Sequence, residues 1–248
     1  MENLNNHKTA YEKGFHFYFE NHLYLGKYAD LMCEKIQKQS FQTVLSLGIG
    51  HEVVSGKILS MLNENLISEY EIIEGSEDIM NKFLQERAHL KEDSRFNIHH
   101  SYFENFQSSK KFDAIEMGFV LEHVDDPGQI VKHFKQFLSP NGIIFISIPN
   151  AKSLHRLIGH EAGLLKNIYE LSQYDLELGH QRYFDFDSIQ ELVLSSGLQI
   201  KRSAGLMLKP ITGKQMEILE WNQDIFQALL TIGEKYPEIS NCIYIEAS

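Results

Sequence analysis

Basic residues are scarce in this chain. Lys and Arg number 23 against 34 Asp and Glu, for a formal charge of −11 at pH 7. A surface of that sign repels phosphate backbones and anionic headgroups, which excludes general nucleic-acid binding and docking on anionic membranes. Cysteine is scarcer still. Cys33 and Cys242 stand far apart and in no metal-ligand spacing, as two ordinary thiols of a reduced compartment. No apolar run reaches membrane-spanning length. The start, Met1-Glu2-Asn3-Leu4-Asn5-Asn6-His7-Lys8, lacks the apolar stretch of a signal peptide, so a cytoplasmic protein is expected. Internal repeats, low-complexity tracts and domain linkers are absent from the sequence. The oligomeric state is not legible, and a homodimer stays open.

What is present suffices for a core. Hydrophobic residues make up 43% of 248, the size of one large α/β domain or a domain with an insert. The chain is organised around Thr43-Val44-Leu45-Ser46-Leu47-Gly48-Ile49-Gly50. A short β-branched and apolar run stops at two glycines spaced one apart, and a helical pattern follows. This predicts a buried strand ending in a tight turn that opens a helix. Glycine lets the backbone come close to a ligand because no Cβ intervenes. A plain βα turn would look the same, so the rest of the chain has to decide.

A helix is expected over about 52–63. The second strand, Tyr70-Glu71-Ile72-Ile73-Glu74, ends in an acid, and Gly75-Ser76-Glu77-Asp78 opens the next helix with Ser76 as N-cap. An acid at that place in nucleotide-binding α/β folds accepts hydrogen bonds from the ribose hydroxyls. The third strand is expected at Phe96–His100, with Ser101-Tyr102-Phe103-Glu104 at its tip, and the fourth at Lys111–Met117. A helix over about 128–138, a turn at Ser139-Pro140-Asn141-Gly142 and a fifth strand at Gly142–Ile148 follow, the strand apolar almost throughout as one buried on both faces should be. Asp187-Ser188-Ile189-Gln190 resembles a capping box, and Gly197 stops its helix. A sixth strand is expected near 198–201, one long amphipathic helix over about 214–235, and a last strand over 241–247.

Two regions depart from this alternation. Residues 1–40 carry Tyr11, Phe15, Phe17, Tyr18, Phe19, Tyr24 and Tyr28, with a helical pattern over about 21–37. This leader either covers the sheet edge or closes as an aromatic lid, and the two roles are compatible. Residues 150–182 form an insert after the fifth strand, carrying Asn150, Ser153, His155, Arg156, His160, Asp175, His180 and Arg182. Such an insert sits above the crevice at the carboxyl end of the sheet.

Taken together, the strand–G-x-G–helix turn, Glu74, Phe112-Asp113-Ala114-Ile115, Leu121-Glu122-His123-Val124-Asp125-Asp126-Pro127, Leu138-Ser139-Pro140-Asn141-Gly142-Ile143 and Gly179-His180-Gln181-Arg182-Tyr183-Phe184 resemble a class I S-adenosylmethionine-dependent methyltransferase, over residues 40–248. They are most similar to the small-molecule branch that includes ubiquinone-pathway and sugar methyltransferases. The resemblance implies an α/β fold with a seven-stranded, Rossmann-like sheet of order 3-2-1-4-5-7-6, strand seven antiparallel, flanked by helices. It implies S-adenosylmethionine as cofactor, bound along Ser46, Leu47, Gly48 and Gly50, with Glu74 and Gly75 at the ribose, Tyr102 and Phe103 by the adenine, and Met117 beneath the methionine. Two positions depart from the family pattern: Ser46 stands where an acid is usual, and Glu52 where a third glycine is frequent. In ubiquinone-pathway members a Glu two residues before the Glu-His pair completes a magnesium site. Here that position is Val120, so no metal is expected.

The implied reaction is methyl transfer to an oxygen or nitrogen of a small molecule. A hydroxyl acceptor needs a base, and His123, His155 and His180 are the candidates. Glu122 and His123 would also suit the mere start of a helix. Arg156 and Arg182, with His155 and His180, are expected to gather over the methyl group, with Tyr11 and Asn150 also at the acceptor. Guanidinium groups bind carboxylate or phosphate bidentately, so an anionic acceptor is expected, a nucleotide-linked sugar or an organic acid. The same arginines could instead pair with Asp175, Glu177 or Asp185 and brace the insert. Two rival functions remain: an NAD(P)-dependent oxidoreductase, and a non-catalytic binding protein of the same fold.

Overall fold

A computed structural model describes residues 18–219 and 221–248. Tyr11, Phe15 and Phe17 of the leader lie outside the described residues. Seven strands form one sheet in the order β3-β2-β1-β4-β5-β7-β6, as expected from the sequence. They are β1 (Thr43–Leu47), β2 (Glu69–Glu74), β3 (Phe96–His100), β4 (Phe112–Gly118), β5 (Leu138–Pro149), β6 (Ile200–Gly205) and β7 (Cys242–Ala247). β1 pairs in parallel with β2 and β4, and β7 runs antiparallel to both its neighbours, β5 and β6. The central strands are apolar because both faces are covered. One apolar layer holds Tyr28, Met32, Ile58 and Tyr70, and the other Ile115, Ile130, Phe134, Ile189 and Val193.

The leader helix, α1 (Tyr18–Gln39), belongs to the first layer. Tyr28 is fully buried, and its hydroxyl donates to Glu116 Oε1 at 3.1 Å. The inner half of this helix is thus a cover for the sheet. α2 (Val53–Asn63), α3 (Glu77–Glu86), α4 (Pro127–Lys135) and α7 (Phe186–Ser195) complete the two layers, while α5 (Leu154–Glu161) and α6 (Gln173–Glu177) lie in the insert.

The sixth strand, expected near 198–201, runs over Ile200–Gly205, and four further boundaries shift for local reasons. Ser139-Pro140-Asn141-Gly142 is not a turn but part of β5, with a register shift opposite Phe112–Ala114. The Ser139 hydroxyl donates to Asp113 Oδ1 at 2.9 Å and keeps this stretch on its neighbour. α4 starts at Pro127 under an Asp126 cap, whose Oδ1 accepts from Gln129 N, and ends at Lys135. The N-cap of α7 is Asp185, two residues before Asp187: Asp185 Oδ1 accepts from Ser188 N, and Ser188 Oγ accepts from Asp185 N. The long helix over 214–235 is two helices, α8 (Gly213–Ile218) and α9 (Gln223–Lys235), because the Asn222 side chain accepts from Ile225 N and starts a new helix.

α9 packs on β6 at a glycine pair. A Cβ built on Gly205 would sit 2.2 Å from the Gly233 carbonyl oxygen and 2.4 Å from Ser240 Cβ, neither of which is a flexible chain end. Gly205→Ala should therefore cost about 2 kcal/mol, lowering Tm by about 4–8 °C. Gly26→Ala, inside α1 with nothing within 4 Å of the new methyl, should be neutral or stabilising by about 0.5–1 kcal/mol. Thermal melts check both; a Gly205→Ala chain melting with the wild type would contradict the close contact.

Candidate active site

A cavity of about 960 Å³ opens at the carboxyl ends of β1, β2 and β4, between α1 and the insert. At its floor Gly48 and Gly50 take φ of 86° and 57°, the left-handed region where a Cβ is strained. Gly48 N donates to Ile73 O at 2.8 Å, so the turn is anchored on β2. Glu74 ends β2 and is buried; its Oε2 accepts from Ile49 N at 3.1 Å and its Oε1 from Ser76 N at 2.8 Å. Gly75 N adds a third backbone hydrogen bond, so the roughly four lone-pair sites of the carboxylate leave one for a ligand hydroxyl. Leu47, Gly75, Tyr102 and Phe103 complete this end of the lining. Glu52 stands at a φ of 63° where the frequent third glycine would be, with its carboxylate held by Arg87 at 2.6 Å. These residues present a pre-shaped turn, a carboxylate acceptor and aromatic edges, which fit an adenosine-bearing cofactor.

Two expected cofactor residues are not in the lining. Ser46 is buried beneath the turn, its Oγ accepting from Tyr70 OH at 3.1 Å. Met117 points to the opposite face of β4, into the second apolar layer, because side chains alternate along a strand. Its neighbours Glu116 and Gly118 line the cavity instead. Glu116 is paired across the strands with Ser46. Burial pushes its carboxyl up to about 7, against the opposing hydrogen bonds from Gly118 N, Tyr28 and Ser46. Phe119 follows with a φ of 59°, an uncommon conformation for a bulky residue, and also lines the cavity.

The other end of the cavity is built from the loop after β4 and from the insert. The loop carries Glu122 and His123, and the insert returns His180 against them, the two imidazole centroids 4.7 Å apart. Backbone stitches hold the approach: Gln181 N donates to Glu122 O at 2.9 Å, and Gln181 Nε2 to His123 O at 2.6 Å. His180 Nδ1 lies 3.2 Å from Asp175 Oδ1. Asp175 also accepts from Tyr183 OH at 2.9 Å and from Ser172 N at 2.7 Å. Burial pushes the Asp175 carboxyl up, but the His180 and Ser172 hydrogen bonds outweigh it and hold it at about 2. Glu122 is 1% exposed, and neither carboxylate oxygen has a hydrogen-bond partner among the described residues. Burial pushes it up to about 7, partly offset by the charges of His180 and Arg182. Glu122, His123 and His180 each offer a donor atom within 4.8 Å of the others. The third donor that the sequence lacked near Val120 therefore exists, supplied by the insert. A carboxylate with two imidazoles suits a transition metal better than magnesium.

Other sequence candidates have different roles. His155 lines the cavity, but burial and the nearby Lys209 and Arg156 cations lower its pKa to about 2, which makes it a poor base. Arg182 is absent from the lining: its guanidinium donates to the carbonyls of Leu121, Val124 and Asp125. Arg156 lines the wall but donates to Ile168 O, Glu170 O and Tyr183 OH while lying over the Tyr183 ring. Both arginines brace the insert through carbonyls, not through the acids expected for that role; Lys152 takes Asp185 at 2.6 Å. Asn150 lines the cavity, while its amide donates to the carbonyls of Pro237, Glu238 and Ser240 and ties down the sheet end. Glu20, Glu116 and Lys209 were missed; only Glu116, an acid inside an apolar strand run, left a local signal.

The seven-stranded sheet, in the order β3-β2-β1-β4-β5-β7-β6, matches the class I methyltransferase fold. A family model described as "Methyltransferase domain" matches residues 12–203, and the chain belongs to that family. Among curated proteins it is 51% identical over 41 residues to the ubiquinone biosynthesis O-methyltransferase of Pasteurella multocida (16% of this chain, 17% of that one). It is 27% identical over 111 residues to the mitochondrial ubiquinone biosynthesis O-methyltransferase of Dictyostelium discoideum (44% and 33%). The matches thus span a third or less of those relatives. Among solved structures, a methyltransferase from Mesorhizobium loti superposes with a TM-score of 0.56 at 14% identity, covering 88% of this chain and 99% of that one. The plantazolicin methyltransferase BamL, solved with S-adenosylhomocysteine, gives 0.60 at 14% identity, covering 98% and 89%. The [4+2]-cyclase SpnF gives 0.59 at 15% identity, covering 90% and 79%. These structural likenesses concern the fold.

The buried Glu116 makes a pH prediction. The unfolded chain releases this proton near 4.5 and the folded chain near 7. The stability contributed by the protonated carboxyl is therefore complete below pH 4.5 and is lost as pH rises through 7. Glu116→Gln, a mimic of the protonated form, should melt close to wild type at pH 5 and above it at pH 8. Parallel pH–melting curves for the two chains would contradict the shift.

Proposed function

We propose that this chain transfers the methyl group of S-adenosylmethionine to an oxygen or nitrogen of a small molecule. The observation that carries the reading is a single cavity joining the Gly48–Gly50 turn and Glu74 to the cluster of Glu122, His123, His180 and Asp175. Bound at the turn, the cofactor supplies an electrophilic methyl on a sulfonium. Gly48 and Gly50 admit it closely, and Glu74 accepts from its ribose. The insert covers the cavity and excludes water, so that an acceptor held against the cluster is aligned for displacement. His180 takes the acceptor's proton, with Asp175 fixing the ring and stabilising the imidazolium. Glu122 and His123 complete the polar wall. The curated relatives are named as O-methyltransferases, which favours oxygen as the nucleophile.

Calorimetry with S-adenosylhomocysteine tests the cofactor half. Glu74→Ala should lose about 1.5–3 kcal/mol of binding, roughly a 10–100-fold weakening, while NADH should not compete. Unchanged affinity in Glu74→Ala, or displacement by NADH, would overturn the assignment.

A further inference from the structure

The cavity has a second polar pole that the proton transfer does not use. Glu20, at the start of α1, and Lys209, after β6, are 189 residues apart and form an ion pair through Glu20 Oε1. Their side chains are 7% and 9% exposed, and both residues line the cavity. Glu20 Oε2 is buried with no hydrogen-bond partner among the described residues. His155 stands beside them, its N–H donating to Lys209 O at 3.0 Å. Tyr24 and Cys242 line the same cavity.

A buried carboxylate oxygen without a donor is costly, and native structures rarely leave one so. The ligand of this cavity is the natural source of the missing donor. Glu20 Oε2 can only accept, so that ligand must bring an N–H or O–H. The pair is already neutral overall, and therefore attracts neither an anion nor a cation strongly. The two arginines offer no anion site, since Arg156 and Arg182 are engaged by carbonyls, and burial with the nearby cations holds His155 neutral.

We propose that Glu20 and Lys209 form the acceptor-recognition subsite, which takes a neutral hydroxyl or amide N–H. The methyl acceptor is then an uncharged molecule bearing a hydrogen-bond donor at the end remote from the reacting atom, not the anion that the arginines suggested. The word acceptor rests on the methyl-transfer reading; the subsite itself does not.

Three compact probes separate the chemistries: acetamide, acetate and methylammonium, titrated into the full chain and followed by backbone amide shifts near Glu20 and Lys209. Acetamide should saturate, with acetate and methylammonium about tenfold or more weaker. The double variant Glu20→Met/Lys209→Met replaces the buried pair by apolar side chains, a change such pairs often tolerate. It should keep its Tm and its S-adenosylhomocysteine affinity and lose the acetamide response. Charged probes binding as well as acetamide, no saturation by acetamide, or an unchanged response in the folded double variant would each overturn the subsite. The ratios on the wild-type chain decide the matter even where the double variant fails to fold. Failure of wild-type S-adenosylhomocysteine binding would instead strike the methyl-transfer reading and leave these ratios standing.

Discussion

The carboxylate of Glu74 ties together two turns that are remote in sequence. By accepting from Ile49 N and from Ser76 N, it fixes the glycine turn after β1 to the start of α3 after β2. It adds to the bonds each turn already has, Gly48 N to Ile73 O and Ile79 N to Ser76 Oγ. The first is left-handed at both glycines, and the second must present free N–H groups at a helix start. One acid satisfies donors on both, and the floor of the cavity inherits its rigidity. Burial raises the Glu74 pKa while the hydrogen bonds from Ser76, Ile49 and Gly75 oppose that rise, which is how a carboxylate can be both deeply placed and structurally useful.

The opposite end of the cavity depends on the same device. Asp175 gathers Ser172, Tyr183 and His180, and so folds the insert back on the loop after β4. Arg182 finishes the closure by donating to three loop carbonyls. A guanidinium is well suited to this, since its planar fork satisfies several acceptors at once. The price is that the charge is no longer available to a ligand. The two halves of the crevice are thus held by acids and donors at fixed backbone positions, and among the described residues of the lining the buried side-chain atoms without a hydrogen bond are on Glu20, Glu122 and the Nδ1 of His180, which keeps only its 3.2 Å ion-pair contact to Asp175.

Legibility followed the range of each interaction. The glycine turn and the place of Glu74 at a strand end were visible because their signals are local: an apolar run, a turn, an acid; the sheet order came only with the family resemblance, because strand pairing is long-range. The capping residues of α7 were visible but misplaced by two positions, because Asp185 and Asp187 both precede Ser188 and only the backbone conformation selects one. The break between α8 and α9 was hidden by a continuous apolar stripe on either side of Asn222. Arg156 and Arg182 were read as ligand-binding because sequence displays a charge and not its partner. The pairing of Glu20 with Lys209, across 189 positions, had no local signal at all.

Ser46 shows how a departure in sequence can be answered elsewhere in the sheet. The strand position that usually carries an acid holds a hydroxyl here. Directly across from it, in register on β4, stands Glu116, flanked by the apolar Ala114, Ile115 and Met117. Ser46 contributes a hydrogen bond to that carboxyl, and Tyr70 donates in turn to Ser46. The acid has thus been moved one strand sideways without leaving the carboxyl end of the sheet. Because adjacent parallel strands are about 4.8 Å apart, such a shift keeps a carboxyl within the same small volume. It also places that carboxyl under Tyr28, so the leader helix now packs on the group. A cover for the sheet edge and a wall of the cofactor crevice consequently share one hydrogen bond, and α1 is coupled to the floor of the site through Glu116.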